Sequence, residues 1–179
     1  LTRVAGGLVW LATLFSLIII IQRSFAVDTA DGALEAQRVA GLEPAGIFVG
    51  KALAVMAQLV TLEIMLFVAA VVLYRVQLHV DGVVLLVTCV VSATAGLSFV
   101  GTLYGGLTAG SRGRETLLPL LMLPVVAPVL IGATRATESA FNSGGAAVSD
   151  GWPWVGVLVV FAAAFGLGGI LSFGSLIEE

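Results

Sequence analysis

Five apolar runs, each long enough to cross a lipid bilayer, decide what this chain folds into. Cutting the sequence at its charged residues leaves Val4 to Ile21, Ala52 to Tyr74 with Glu63 inside it, Val83 to Ala109, Thr116 to Thr134 and Trp152 to Ile177. At about 1.5 Å per helical residue, each run reaches across a hydrocarbon layer of roughly 30 Å with modest help from tilt or flanking residues. Backbone N–H and C=O groups find no water in that layer, so each run is read as a helix that satisfies its own hydrogen bonds. Composition agrees: 59% of the 179 residues are hydrophobic and 11% charged, with mean hydropathy +1.13, against roughly 45 to 50% apolar and about 25% charged in soluble domains.

The fold class expected is an all-α, polytopic transmembrane bundle forming a single domain over 1–179, with helices at about 4–22, 51–74, 82–109, 115–134 and 152–177. The polar remainder comes in short pieces, and a soluble catalytic domain needs at least about 50 residues with a core of its own. Net charge is −3, and Arg23, Arg38, Arg112 and Arg114 form no basic stripe, which excludes nucleic acid as a partner. The single cysteine, Cys89, lies inside an apolar run. It supports neither a disulfide framework nor a thiolate metal site and is read as a small buried side chain.

Loops alternate sides. Arg23, Arg38, Lys51, Arg112 and Arg114 fall on one, and Arg3, Arg75 and Arg135 on the other. The excess places the first set in the cytoplasm. Leu1 then lies outside, and a further helix ahead of Val4 is expected to return the N-terminus to the cytoplasm. Trp152 and Trp154 suit the interfacial belt. Gly101 with Gly105 and Gly106 with Gly110 give two small-xxx-small spacings that let a neighbouring backbone approach within the bundle. Pro119, Pro124 and Pro128 all fall in the fourth helix, each removing a backbone donor, so a kinked helix is expected there.

The stretch 23–50 is a long polar connection by ordinary loop statistics and is expected to hold structure and a task. Asp31 caps a short helix beginning at Gly32, Gly41 supplies its stop and Pro44 forbids continuation. Leu34 with Arg38 and Glu35 with Val39 share faces, a mixed surface better suited to a groove on a protein than to lipid. Gly46 to Lys51 is no phosphate loop, because Ala45 stands where its first glycine belongs and Ala52 follows the lysine. Lys51 is read as an interfacial anchor opening the second helix.

Gln22-Arg23-Ser24-Phe25 through Asp31-Gly32-Ala33-Leu34-Glu35, then Pro44 and Gly50-Lys51, resembles the cytoplasmic coupling segment of ABC-2 type permeases. Gly6 to Ala12, Leu97 to Gly101 with Leu107 to Gly110, and Leu120 to Pro128 make the likeness narrower. They resemble the CcmB permeases of cytochrome c maturation, the haem exporter B subunits. Ala40-Gly41 departs from the leucine and proline common there.

That resemblance implies six helices in a full-length member and no enzymatic activity in this chain. It implies ATP hydrolysis in a separate ABC ATPase contacted by Asp31, Gly32, Leu34, Glu35 and Arg38. It also implies other membrane subunits of cytochrome c maturation, a haem chaperone, lipid around the bundle, room for a homodimer, and the bacterial inner membrane as location. Haem is a transported or handled ligand rather than a resident cofactor. The tryptophan-rich haem-handling motif of a partner subunit is absent, since Val155 follows Trp152-Pro153-Trp154. An exporter of another lipid-like or drug substrate, and a membrane assembly scaffold without a pathway, stand as alternatives.

Haem iron takes His, Met, Cys or Tyr as an axial ligand. His79, the only histidine, lies in a short outer loop and is the weak candidate. Met56, Met65 and Met122 are read as packing residues. Glu63 lies about 18 Å along the helix from Lys51. An ionisable group at that depth faces the bundle interior or a wet cavity, either as a polar element of a pathway or bonded to a hydroxyl such as Thr88 or Thr94.

Overall fold

The computed structural model describes residues 2–30, 32, 36, 39–41, 43–76, 79–109 and 113–177. Five α-helices build it: α1 (Thr2–Ala30), α2 (Pro44–Tyr74), α3 (Val80–Thr108), α4 (Arg114–Ala140) and α5 (Trp152–Ile177). Two 3-10 turns, Ser143–Gly145 and Val148–Gly151, join α4 to α5. All five helices are long and apolar enough to span a membrane, and no strand occurs among the described residues.

The helices overrun the apolar runs. α2, with 31 residues, is about 46 Å long, well beyond a hydrocarbon core of about 30 Å. Residues 23–30 and 44–50, expected in the connection, are therefore extra turns of α1 and α2, and the connection shrinks to 31–43. A charge marks where a chain leaves hydrocarbon, which is not where a helix must stop. α2 starts instead where Pro44 occupies the first turn behind an extended Glu43 (ψ 130°). α4 likewise passes Thr134 to Ala140, with Arg135 and Glu138 paired at 3.3 Å on its last turns.

Within the connection, Ala36 N–H bonds the Gly32 carbonyl at 2.9 Å and Ala40 N–H the Ala36 carbonyl at 3.0 Å. Gly32 (φ +63°) and Gly41 (φ +74°) flank these turns in the left-handed region that glycine adopts without strain. Asp31, Leu34, Glu35 and Arg38 lie outside the described residues. α4 runs unbroken from Arg114 to Ala140 with Pro119, Pro124 and Pro128 inside it. The carbonyls of Glu115, Leu120 and Pro124 thereby lose their usual helical donors.

α3 is the central helix, in contact with each of the other four. Its buried face is built of small residues, Ser92, Ala93, Thr94, Gly96, Ser98, Gly101, Thr102 and Gly105 among them, so neighbours seat bulky side chains directly on its backbone. Leu17 and Ile21 of α1 meet Gly101, Phe25 meets Gly105, and Phe173 of α5 meets Gly106. The Gly101 and Gly105 spacing thus packs within the bundle, as does Gly106, whereas Gly110 lies outside the described residues. Trp10, Phe67 and Phe141 stack edge to face at one end of the bundle, and Phe48 stacks with Phe99 and Phe173 towards the other.

Gly82 sits where an added Cβ would come 2.5 Å from the Ala140 carbonyl oxygen, whereas Gly156 faces open space. Gly82→Ala is expected to destabilise the fold by about 1 to 3 kcal/mol, because backbone cannot step aside. Gly156→Ala leaves stability unchanged or slightly higher. A thiol-reactive dye that reports exposure of the buried Cys89 during a thermal ramp in detergent measures both.

Candidate functional site

Two polar arrangements stand out in the apolar bundle. At the end of α1 and the start of α2, Lys51 Nζ forms an ion pair with Asp28 and lies 4.4 Å from the centre of the Phe25 ring. Lys51 is therefore a tie between the two helices that frame 31–43, two turns inside α2, rather than an anchor at its start. Both partners are mostly shielded from solvent. The aromatic face under the ammonium adds a cation–π attraction that grows as water is excluded. Ser24, Glu43, Gly46, Ile47, Gly50 and Ala54 line an open cavity of about 510 Å³ beside the pair.

The second arrangement lies at mid-depth. Glu63 is fully buried on the face of α2 that carries Phe48, Val55, Leu59 and Phe67. Thr94 Oγ1 of α3 donates to Glu63 Oε2 at 2.6 Å. Thr13 of α1 lies beside the same carboxyl. Of the two hydroxyls that the sequence offers as partners, Thr94 is the one in place, while Thr88 donates to the Val84 carbonyl at 2.8 Å. Glu63 Oε1, Ser98 Oγ and Thr102 Oγ1 are buried without a hydrogen-bond partner. Nearby, Trp10 Nε1–H donates to Thr137 Oγ1 at 2.9 Å, and Cys89 Sγ–H reaches the Ala133 carbonyl at 3.7 Å. Both bonds tie into α4.

His79 caps the entry to α3 from an exposed position without a side-chain cap bond. No group of three or more His, Cys, Asp or Glu side chains converges among the described residues. Met122 is buried as expected, but Met65 is 69% exposed on the outer face of α2 and, among the described residues, packs on no other part of the bundle's core. Sequence reasoning missed three participants, Thr13, Ser98 and Thr102. The four-residue spacing Thr94, Ser98, Thr102 is a legible signal, because it lines up one face of a helix. The Asp28–Lys51 tie was hidden because Asp28 was read as part of the connection and Lys51 as an interfacial anchor.

The family model described as CcmB protein matches residues 1–168. The chain belongs to the CcmB family. Curated relatives agree. Heme exporter protein B of Rhodobacter capsulatus is 35% identical over 133 residues, covering 73% of this chain and 59% of that protein. The protein of the same name from Paracoccus denitrificans is 35% identical over 140 residues, covering 77% and 62%. That from Escherichia coli K12 is 31% identical over 140 residues, covering 78% and 63%. The chain spans about three fifths of the length of these relatives. Its five spanning helices make it a multi-pass membrane member of the family.

The Thr94 to Glu63 bond joins α2 to α3, and interhelical hydrogen bonds in membranes contribute about 0.6 kcal/mol on average and about 1.7 at most. Thr94→Val is expected to cost that much in thermal stability. Glu63→Gln keeps an acceptor oxygen for Thr94 and is expected to melt close to the parent in the same assay.

Proposed function

We propose that this chain is the membrane-spanning permease subunit of an ABC-type complex in bacterial cytochrome c maturation. Its seat is the cytoplasmic membrane and its task lies in haem export or haem delivery to a periplasmic chaperone. The carrying observation is the family match across 1–168, and the names of the relatives supply the substrate. ATP hydrolysis belongs to a separate ATPase, other maturation subunits complete the complex, and a second copy of the chain is a further partner.

The geometry supports a coupling role for the connection 31–43. Asp28 lies in the last turn of α1 before the segment and Lys51 two turns into α2 after it, and those two residues are bonded to each other. Phe25 lies on Gly105 of α3 and Phe48 on Gly169 of α5, both at contact too close for an added Cβ. A push on 31–43 therefore reaches α3 and α5 through rigid aromatic contacts rather than through loose chain. In this reading Asp31, Gly32, Leu34, Glu35 and Arg38 present the surface that meets the ATPase. Glu63 and the proline-bearing α4 border the moving interior. His79 stands apart from both arrangements, and the chain's part is to transmit motion rather than to ligate iron.

Deleting the gene is expected to abolish haem staining of all c-type cytochromes, with recovery when the gene is restored. Normal staining in the deletion strain would sink the haem assignment and turn the search to another exported substrate. Leu34→Asp is expected to remove stimulation of ATP turnover in the assembled complex, whereas unchanged turnover would mark a passive scaffold. His79→Ala is expected to retain full staining.

A further inference from the structure

Hydroxyl side chains in these helices settle on their own backbone. Thr13 donates to the Val9 carbonyl, Thr88 to Val84, Ser92 to Thr88 and Thr108 to Tyr104, each four residues back. Three hydroxyls in the middle of α3 depart from this habit. Thr94 gives its proton to Glu63, while Ser98 and Thr102, 1% and 0% exposed, leave their oxygens without a partner. Glu63 Oε1 is in the same condition. The spacing of four places Thr94, Ser98 and Thr102 on one stripe, about 12 Å long. It runs from the Glu63 carboxyl towards the end of α3 that lies beside Phe25, Asp28 and Lys51.

Internal water satisfies buried polar atoms in proteins where several polar partners line the site and there is room for it. A carboxyl and three hydroxyls at helical spacing supply that lining. Around Glu63, α1 contributes Thr13, and α3 contributes Thr94 and the Cys89 thiol, which lies within reach of its charge. α5 contains no titratable side chain at all, and no cation pairs with Glu63 among the described residues. A carboxyl so placed exchanges charge with its surroundings only by moving a proton.

We propose that Glu63, Thr94, Ser98 and Thr102 form a hydrated hydroxyl file through which the buried Glu63 carboxyl takes up and releases a proton. A hydronium ion at the Lys51 end supplies the proton. An O–H bond forms on Glu63 as one breaks on the adjacent hydroxyl or water, and each member regains a proton from the next. Hydronium becomes water, the carboxylate becomes the acid, and no electron changes hands. The file is independent of which substrate the subunit serves.

The test is infrared spectroscopy of the full chain, co-expressed with its partners and held in lipid, during exchange from H2O to D2O. The parent is expected to show the carbonyl stretch of a protonated carboxylic acid that is missing from Glu63→Gln, and that band is expected to shift within minutes. Ser98→Ala combined with Thr102→Val should slow the shift at least about tenfold, with amide exchange elsewhere unaltered. Absence of the Glu63 band would overturn the proposal. Exchange as slow as that of the most protected amides in the parent would do the same, with no variant needed. A shift that keeps its parent rate in Ser98→Ala alone and in the double variant would remove the hydroxyls from the path.

Discussion

Everything in this bundle leans on the small side chains of α3. In lipid the apolar faces of helices gain nothing by leaving one solvent for another like it, so close packing and a few interhelical hydrogen bonds must hold them together. A helix that contributes Gly101, Gly105 and Gly106 to its neighbours lets Ile21, Phe25 and Phe173 reach its backbone and gather dispersion contacts there. Glycine in a helix carries an entropic cost in water. In hydrocarbon, where an unfolded backbone has no hydrogen-bonding alternative, the helix survives that cost and keeps the close approach.

Helix length is the second constraint. α1 and α2 are longer than the roughly 30 Å of hydrocarbon a helix must cross, and their surplus turns carry Asp28 and Lys51. The Asp28–Lys51 pair ties together the two helices that frame the connection. Beneath it Phe25 rests on Gly105 and Phe48 on Gly169. At the opposite end Trp10, Phe67 and Phe141 interlock beside Thr137, which accepts the indole proton. The Glu63 layer lies between these two aromatic zones.

Hydropathy made the helices legible because a bilayer imposes one requirement on every span. It located all five, and the spacing of Gly101, Gly105 and Gly106 foretold where α3 would be approached. The ends were not legible. Arg23 and Asp28 look like loop residues only if a helix is taken to stop at the hydrocarbon boundary, and nothing physical demands that. Glu63 announced itself as the single charge inside an apolar run, and Thr94 was within its reach by depth. The choice between Thr94 and Thr88 depended on the rotation of α3 about its own axis, which follows from where Phe25, Phe173 and Phe161 of neighbouring helices seat themselves. The spacing of Thr94, Ser98 and Thr102 set them on one face, but only that rotation decided that the face turns inward.

A bundle whose ends are clasped by aromatic rings and an ion pair, but whose middle holds buried oxygens without partners, has its stability distributed unevenly. A buried polar group left without a partner costs stability where it sits, and here three such groups, Glu63 Oε1, Ser98 Oγ and Thr102 Oγ1, lie in the interior. Water entering beside Ser98 and Thr102 would satisfy groups that the protein leaves unsatisfied. The same step through the Phe48, Phe99 and Phe173 stack would only expose apolar surface. Under the coupling role proposed for 31–43, motion imposed there meets the close Phe25 and Phe48 contacts before it reaches the Glu63 layer.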